Sequence, residues 1–151
     1  MTLLDKEPVK RAQKALKSFD QSLSVIVLDD SARTAKDAAA SLKCEVGAIV
    51  KSLLFKTENS FILCLIAGDK RCSLNKLKKL INKKNISMAK PEDVKTHTGF
   101  TIGGVSPVGH INSVEILIDN FLKRFSFLYA AAGHPNCIFK IDFINLKKIT
   151  N

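Results

Sequence analysis

Apolar residues in this chain follow two rhythms. From Pro8 onward they recur at Val9, Ala12, Leu16 and Phe19, the spacing of one helical face, and Pro8 suits a first helical turn. Elsewhere they gather in short runs, and residues 24–28, 48–56, 61–67, 86–89, 114–118, 127–132 and 137–141 each predict a strand. The Thr-Glu-Asn-Ser turn at 57–60 separates two of these runs, which predicts an antiparallel hairpin. Residues 31–42 predict a helix capped by Thr34 or Ser31, with alanines small enough for close contact with a sheet. Ser73 predicts a cap for a helix reaching about residue 84, its apolar side formed by Leu74, Leu77, Leu80 and Ile81. Pro91, with Glu92 and Asp93 at the positive dipole end, starts another helix that stops near Gly99. A last helix spans 143–149 behind Asp142.

These elements are interspersed without the strict alternation of a doubly wound sheet. They predict a single α+β domain with a mixed, mainly antiparallel sheet and flanking helices. Residues 1–22 read as an N-terminal helical extension of the domain whose body is 23–151.

Composition narrows the partners. The 151 residues suit one domain, and 46% hydrophobic content with 25% charged residues excludes a disordered chain. A net charge of +10 favours a polyanionic partner. Nine basic residues and two acids lie within 70–95, so that stretch supplies a surplus of seven; Lys76, Lys79 and Lys83 share a helical face. Aromatics are absent from it. Cys44, Cys64, Cys72 and Cys137 form no CxxC pair, and with three histidines no metal-ligand spacing emerges, so neither metal nor cofactor is expected. The longest apolar run, 61–67, is too short to span a bilayer, and the N-terminus lacks an apolar leader core. A reducing, cytoplasmic setting is expected, with no membrane partner.

Three features carry candidate chemistry. Residues 99–110 hold four of the seven glycines in twelve positions and no acidic side chain, which predicts a shaped loop whose amides face a partner's oxygen atoms. Lys51 stands in a predicted strand with Ile49, Leu53 and Phe55 on its own face. An ammonium there requires an anion, a carbonyl or an escape to solvent. His134, in Gly-His-Pro, follows a strand and suits hydrogen bonding or proton transfer; His97 and His110 give weaker signals. Ser106 lacks the nucleophile-elbow context, and spacing assembles no triad around it.

From about residue 23 to 150 the chain resembles the YbaK-like family, free-standing aminoacyl-tRNA deacylases related to the editing domain of bacterial prolyl-tRNA synthetases. The resemblance rests on Ser31-Ala-Arg-Thr-Ala35, Val50-Lys-Ser-Leu53, Ala67-Gly-Asp69, Gly103-Gly-Val-Ser-Pro107 with Gly109, and Ala132-Gly-His-Pro135. It implies hydrolysis of the ester joining a wrong amino acid to a tRNA. It implies catalytic roles for Lys51, Gly103 and Gly104, and substrate contacts at Val105, Ser106, Pro107, Gly109, Gly133 and His134. The tRNA would then be steered by Lys70, Arg71, Lys76, Lys79 and Lys83. Proline tRNA carrying an alanyl, 2-aminobutyryl or cysteinyl group is the implied substrate, with prolyl-tRNA synthetase as a further partner. His134 replaces the arginine of the cysteine-clearing branch, which weighs against cysteinyl. Water or the ribose hydroxyl beside the ester would be the nucleophile. The alternative is a non-catalytic module that binds tRNA or a synthetase.

Overall fold

The computed structural model describes residues 2–151. After a 3-10 turn at Leu3–Asp5, helix α1 (Glu7–Phe19) buries Val9, Ala12 and Leu16 completely. These positions fall on one stripe because three- and four-residue steps return to the same face. Strand β1 is only Ile26–Val27, with both residues exposed, where the sequence predicted 24–28. It lies at a sheet edge, where one neighbour supplies few ladder bonds. Helix α2 (Ala35–Leu42) begins later than expected, because Thr34 is the cap: its Oγ1 accepts the Asp37 amide at 3.1 Å. Ala38 and Ala39 sit against Ile49 and Tyr129, as their size predicts.

A 3-10 turn at Val46–Ala48 takes the first residue of the predicted strand and leads into β2 (Val50–Lys56). With β3 (Phe61–Ala67) it forms the expected antiparallel hairpin, in register from Val50↔Ala67 to Lys56↔Phe61. Leu63, Leu65 and Ala67 face the main core, while Ile62, Cys64 and Ile66 face a second cluster with Leu77 and Ile86. Burial on both faces explains why β3 is an unbroken apolar run.

Helix α3 (Leu74–Ile81) stops at Asn82, whose φ of 56° is left-handed, short of the predicted residue 84. Its Leu80 is 72% exposed rather than part of the apolar side. At 100° per residue, Leu80 lies well around the helix from the Leu77–Ile81 line that meets the sheet. Strand β4 (Ser87–Met88), helix α4 (Pro91–Thr98) with Gly99 as left-handed cap, and β5 (Glu115–Ile118) follow. A 3-10 segment at Asn120–Arg124, without a periodic signal in the sequence, precedes β6 (Leu128–His134), β7 (Cys137–Ile141) and α5 (Phe143–Thr150).

The seven strands among the described residues form two groups, β4-β2-β3-β5 and β1-β7-β6, joined by a parallel bridge between Ile49 and Tyr129. The β3–β5 pair is parallel and the other strand pairs are antiparallel, so the sheet is mixed and mainly antiparallel. Since β3 fills one edge of β2, both β6 and β4 use the other. β6 meets its beginning at Ile49, and β4 its end at Phe55 and Lys56. The sheet therefore forks along β2, leaving the middle of that strand between the two branches.

Candidate active site

A cleft of about 330 Å³ occupies this fork. Its floor is β2 from Ile49 to Leu54. Its walls are the approach to α2 with Arg33 and Thr34, the loop residues Ile102, Gly103 and Val105, and the β6–β7 corner with His134 and Pro135. Among the described residues no carboxylate borders it.

Strand alternation sends Lys51 and Ser52 to opposite faces of the sheet. Lys51 is half-buried, and its Nζ donates to the Lys70 carbonyl, just past the end of β3. A carbonyl is thus the compensation that the apolar neighbours of Lys51 require, and two further ammonium protons remain to be given. On the other face, Ser52 Oγ is the only buried side-chain polar atom without a partner among the described residues. Such a group costs about 1–3 kcal/mol. A polar ligand in the cleft would relieve that cost.

The glycine-rich loop is held from behind. Arg11 of α1 donates through Nε to the Gly109 carbonyl and through Nη2 to the Gly99 carbonyl, each at 2.8 Å, and lies 4.6 Å from the Phe100 ring centroid. Gly104 gives its amide to the Thr101 carbonyl at 2.9 Å and accepts from the Gly133 amide at 3.0 Å. A Cβ on Gly104 would stand 2.8 Å from the His134 nitrogen, so only glycine lets the loop meet this corner. Gly133 has φ +94°, and a Cβ there would stand 2.7 Å from the Pro8 carbonyl carbon.

His134 Nδ1 accepts the Asn136 amide at 3.0 Å, so the neutral ring carries its proton on Nε2. Burial, and then the charges of Lys6 and Arg33, lower its pKa below the ordinary 6.5 and keep the ring neutral at pH 7. With Nδ1 engaged by that amide, the ring offers its Nε2–H as a hydrogen-bond donor. His110, whose pKa burial also lowers, donates from Nε2 to the Ser106 carbonyl at 2.6 Å. Ser106 is fully buried and its Oγ accepts the Val108 amide at 3.1 Å. Cys137 borders the cleft, but burial raises its thiol pKa and makes it a poor nucleophile.

Of the residues singled out in the sequence, the fold brings Lys51, Gly103, Val105 and His134 to the cleft wall. Gly104, Ser106, Pro107, Gly109 and Gly133 form the frame behind it. Lys70 and Arg71 are exposed beside Lys51, while Lys76, Lys79 and Lys83 are exposed on α3 and just beyond its end. The sequence showed Ser52 and Arg33 only inside the family motifs, with no role attached, and gave no sign of Arg11. A hydroxyl between the core-facing Val50 and Leu54 is the one signal that would have marked Ser52. Arg33 becomes visible only when its stem lies 3.1 Å from where a Gly103 Cβ would stand.

Residues 29–149 match the family model of the aminoacyl-tRNA editing domain, and the chain belongs to that family. Within the family it is similar to parts of proline–tRNA ligases. That of Kosmotoga olearia is 33% identical over 123 residues, covering 82% of this chain and 20% of the ligase. The chain spans about a fifth of the length of such ligases. The uncharacterized protein YwhH of Bacillus subtilis is 30% identical, and the match covers 85% of this chain and 82% of YwhH. A solved structure described as a candidate trans-editing enzyme for prolyl tRNA synthetase is 38% identical, with a TM-score of 0.90. That match covers 96% of this chain and 92% of the other. No helix among the described residues is long and apolar enough to cross a membrane.

Proposed function

We propose that this chain is a trans-acting aminoacyl-tRNA deacylase that hydrolyses the ester of a mischarged tRNA. The substrate is a small wrong amino acid, alanyl, 2-aminobutyryl or cysteinyl, on proline tRNA. The observation that carries this reading is the cleft of an editing-family chain, bordered by two cations and a neutral histidine and free of carboxylates among the described residues. Such a wall suits a phosphate-bearing ester and offers neither a serine triad nor an acid pair.

Catalysis then rests on positioning and on an oxygen nucleophile that the protein does not supply. Water adds to the ester carbonyl carbon, either directly or after the neighbouring ribose hydroxyl has taken the acyl group to give the isomeric ester. Charge builds on the carbonyl oxygen, and the bond to the ribose oxygen breaks as that oxygen takes a proton. Lys51 and Arg33 hold the nucleotide's phosphate, Ser52 receives a polar group of the substrate, and His134 donates from Nε2 to an oxygen of the reacting ester. Gly104 acts through shape, since its amide is already given to Thr101. The small cleft favours a short side chain on the aminoacyl group, and the protein works in the cytoplasm on tRNA released by prolyl-tRNA synthetase.

The test is deacylation of proline tRNAs charged with alanine, cysteine, 2-aminobutyrate, serine or proline. The native protein should empty one small wrong aminoacyl-tRNA selectively, and Lys51→Ala should lower that rate by about a hundredfold or more. If no member is hydrolysed while tRNA is still bound, the protein is a binding module and the proposal fails.

A further inference from the structure

The lysine-rich stretch at 70–95 contains no aromatic ring, but the fold joins it to a segment that does. Lys70, whose carbonyl holds the Lys51 ammonium, places its own Nζ 5.0 Å from the Phe121 ring centroid. Arg124 lies 5.5 Å from the same ring and 4.8 Å from that of Phe125. Beyond Phe125 runs a groove of about 650 Å³ with Phe143 in its wall. Lys123 and Lys147 lie 5.7 and 5.9 Å from the Phe143 ring. A continuous ridge of rings and cations thus leads from the candidate active site to α5. Phe121 is 55% exposed, so its ring offers a large apolar surface to a partner.

The acids along this ridge are engaged. Asp69 pairs with Arg124 at 2.8 Å, Asp119 accepts the amides of Phe121 and Ala67, and Asp142 caps α5 through the Asn145 amide. The unopposed charge is positive. A protein-docking surface is depleted in lysine at its centre, whereas rings interleaved with lysines are the makings of a single-strand nucleic-acid platform.

We propose that the ridge from Phe121 to Phe143 binds a single-stranded segment of RNA, the exposed Phe121 ring stacking an unpaired base beside the half-buried Phe125 and Phe143 while Lys70, Lys123 and Lys147 hold phosphates. This rests on the deacylase reading in one respect: the bound strand is the one that leads the ester into the cleft. The site lies outside the α3 lysine face and gives the protein a means to distinguish an unpaired RNA end from duplex.

The experiment measures binding of the full chain to a fluorescent single-stranded RNA of about ten nucleotides and to a duplex RNA. Phe121→Ala should weaken single-strand binding about tenfold and leave duplex binding nearly unchanged, and Phe121→Tyr should bind as the native protein does. Lys147→Gln should reduce the salt dependence by about one phosphate contact. Thermal unfolding of each variant identifies loss through misfolding, and if Phe121→Ala unfolds the salt slope decides: a folded Lys147→Gln with the native slope overturns the inference. Native-like single-strand binding by folded Phe121→Ala overturns the inference, as does a Phe121-dependent self-association or phosphatidylserine-vesicle binding with RNA binding unaffected. If mischarged tRNA is hydrolysed while Phe121 proves neutral for RNA, the ridge fails alone. If Phe121-dependent RNA binding persists without any hydrolysis, the deacylase reading fails and the RNA site stands.

Discussion

Arg11 reaches across nearly the whole sequence to close the glycine-rich loop, with its two acceptors 88 and 98 residues away. Its exposed ion pair with Glu7 adds little, but two charge-assisted bonds to backbone carbonyls, with a ring beneath the guanidinium, contribute substantially. Arg11→Ala should lower the stability measured by urea unfolding by about 2–4 kcal/mol. Arg11→Lys should not restore it, because one ammonium cannot reach both carbonyls in the guanidinium's planar fork. Ser52 predicts the opposite behaviour. Removing its unpartnered hydroxyl should leave stability unchanged or raise it by up to about 1 kcal/mol, while raising KM or lowering kcat for the charged tRNA. A Ser52→Ala variant that loses stability and keeps full turnover would make that hydroxyl merely structural. The two half-buried histidines give a pH dependence. His110 and His134 have pKa values held below 6.5 by burial, so the unfolded chain takes up protons before the folded one does as pH falls. Their contribution is complete above pH 6.5 and declines as pH drops through that value toward their folded pKa values. Unfolding midpoints measured from pH 7.5 to 5 should fall, and His110→Gln, which can still donate to Ser106, should flatten the curve.

Among the elements, α1 illustrates what pattern does and does not disclose. Its apolar stripe was legible because Val9, Ala12 and Leu16 obey the helical period, and β3 and β7 were legible to the residue because each is a short apolar run between turn residues. The pattern could not show where the stripe docks. Pro8 and Val9 lie against Gly133, and Arg11 against Gly109, both outside any local window. The same limit applies to the site. Lys51 stood out because a charge on an apolar strand face is locally anomalous, whereas Arg33 and Arg11 are ordinary charges until the fold places Gly103 and Gly99 beside them. Gly104 and Gly109 stood out by density and Gly133 only through the family motif, and only the structure separates glycines bordering the cleft from those behind it. The close fit makes α1 an integral element although the family match begins at residue 29. Gly133→Ala, which combines positive φ with a backbone clash, should cost about 3 kcal/mol or more. It should also expose the loop at 99–110 to limited proteolysis, while an exposed substitution such as Lys10→Ala should do neither. Unchanged protection in Gly133→Ala would show that α1 does not hold the loop.

For the molecule as a whole, the proposed function makes the +10 charge and its distribution govern how RNA arrives rather than what happens in the cleft. Two basic surfaces serve different ends in this reading: the exposed lysines on and beyond α3, and the ring-and-cation ridge at Phe121–Phe143. Lysines without aromatic partners read only phosphate, so the α3 face should bind duplex and single-stranded RNA alike, with affinity falling steeply as counterions compete. If six or more phosphates are neutralised in all, affinity should drop by about a thousandfold or more between 50 and 200 mM salt. Replacing Lys76, Lys79 and Lys83 together with glutamine should weaken binding to every RNA and reduce the logarithmic salt slope by about three. Because these side chains lie away from the reacting ester, the triple variant should raise KM and leave kcat near the native value, the signature of lost uniform binding. A fall in kcat at saturating tRNA would mean that the α3 face also sets the position of the ester. The division between steering at α3 and positioning at the cleft would then have to be abandoned.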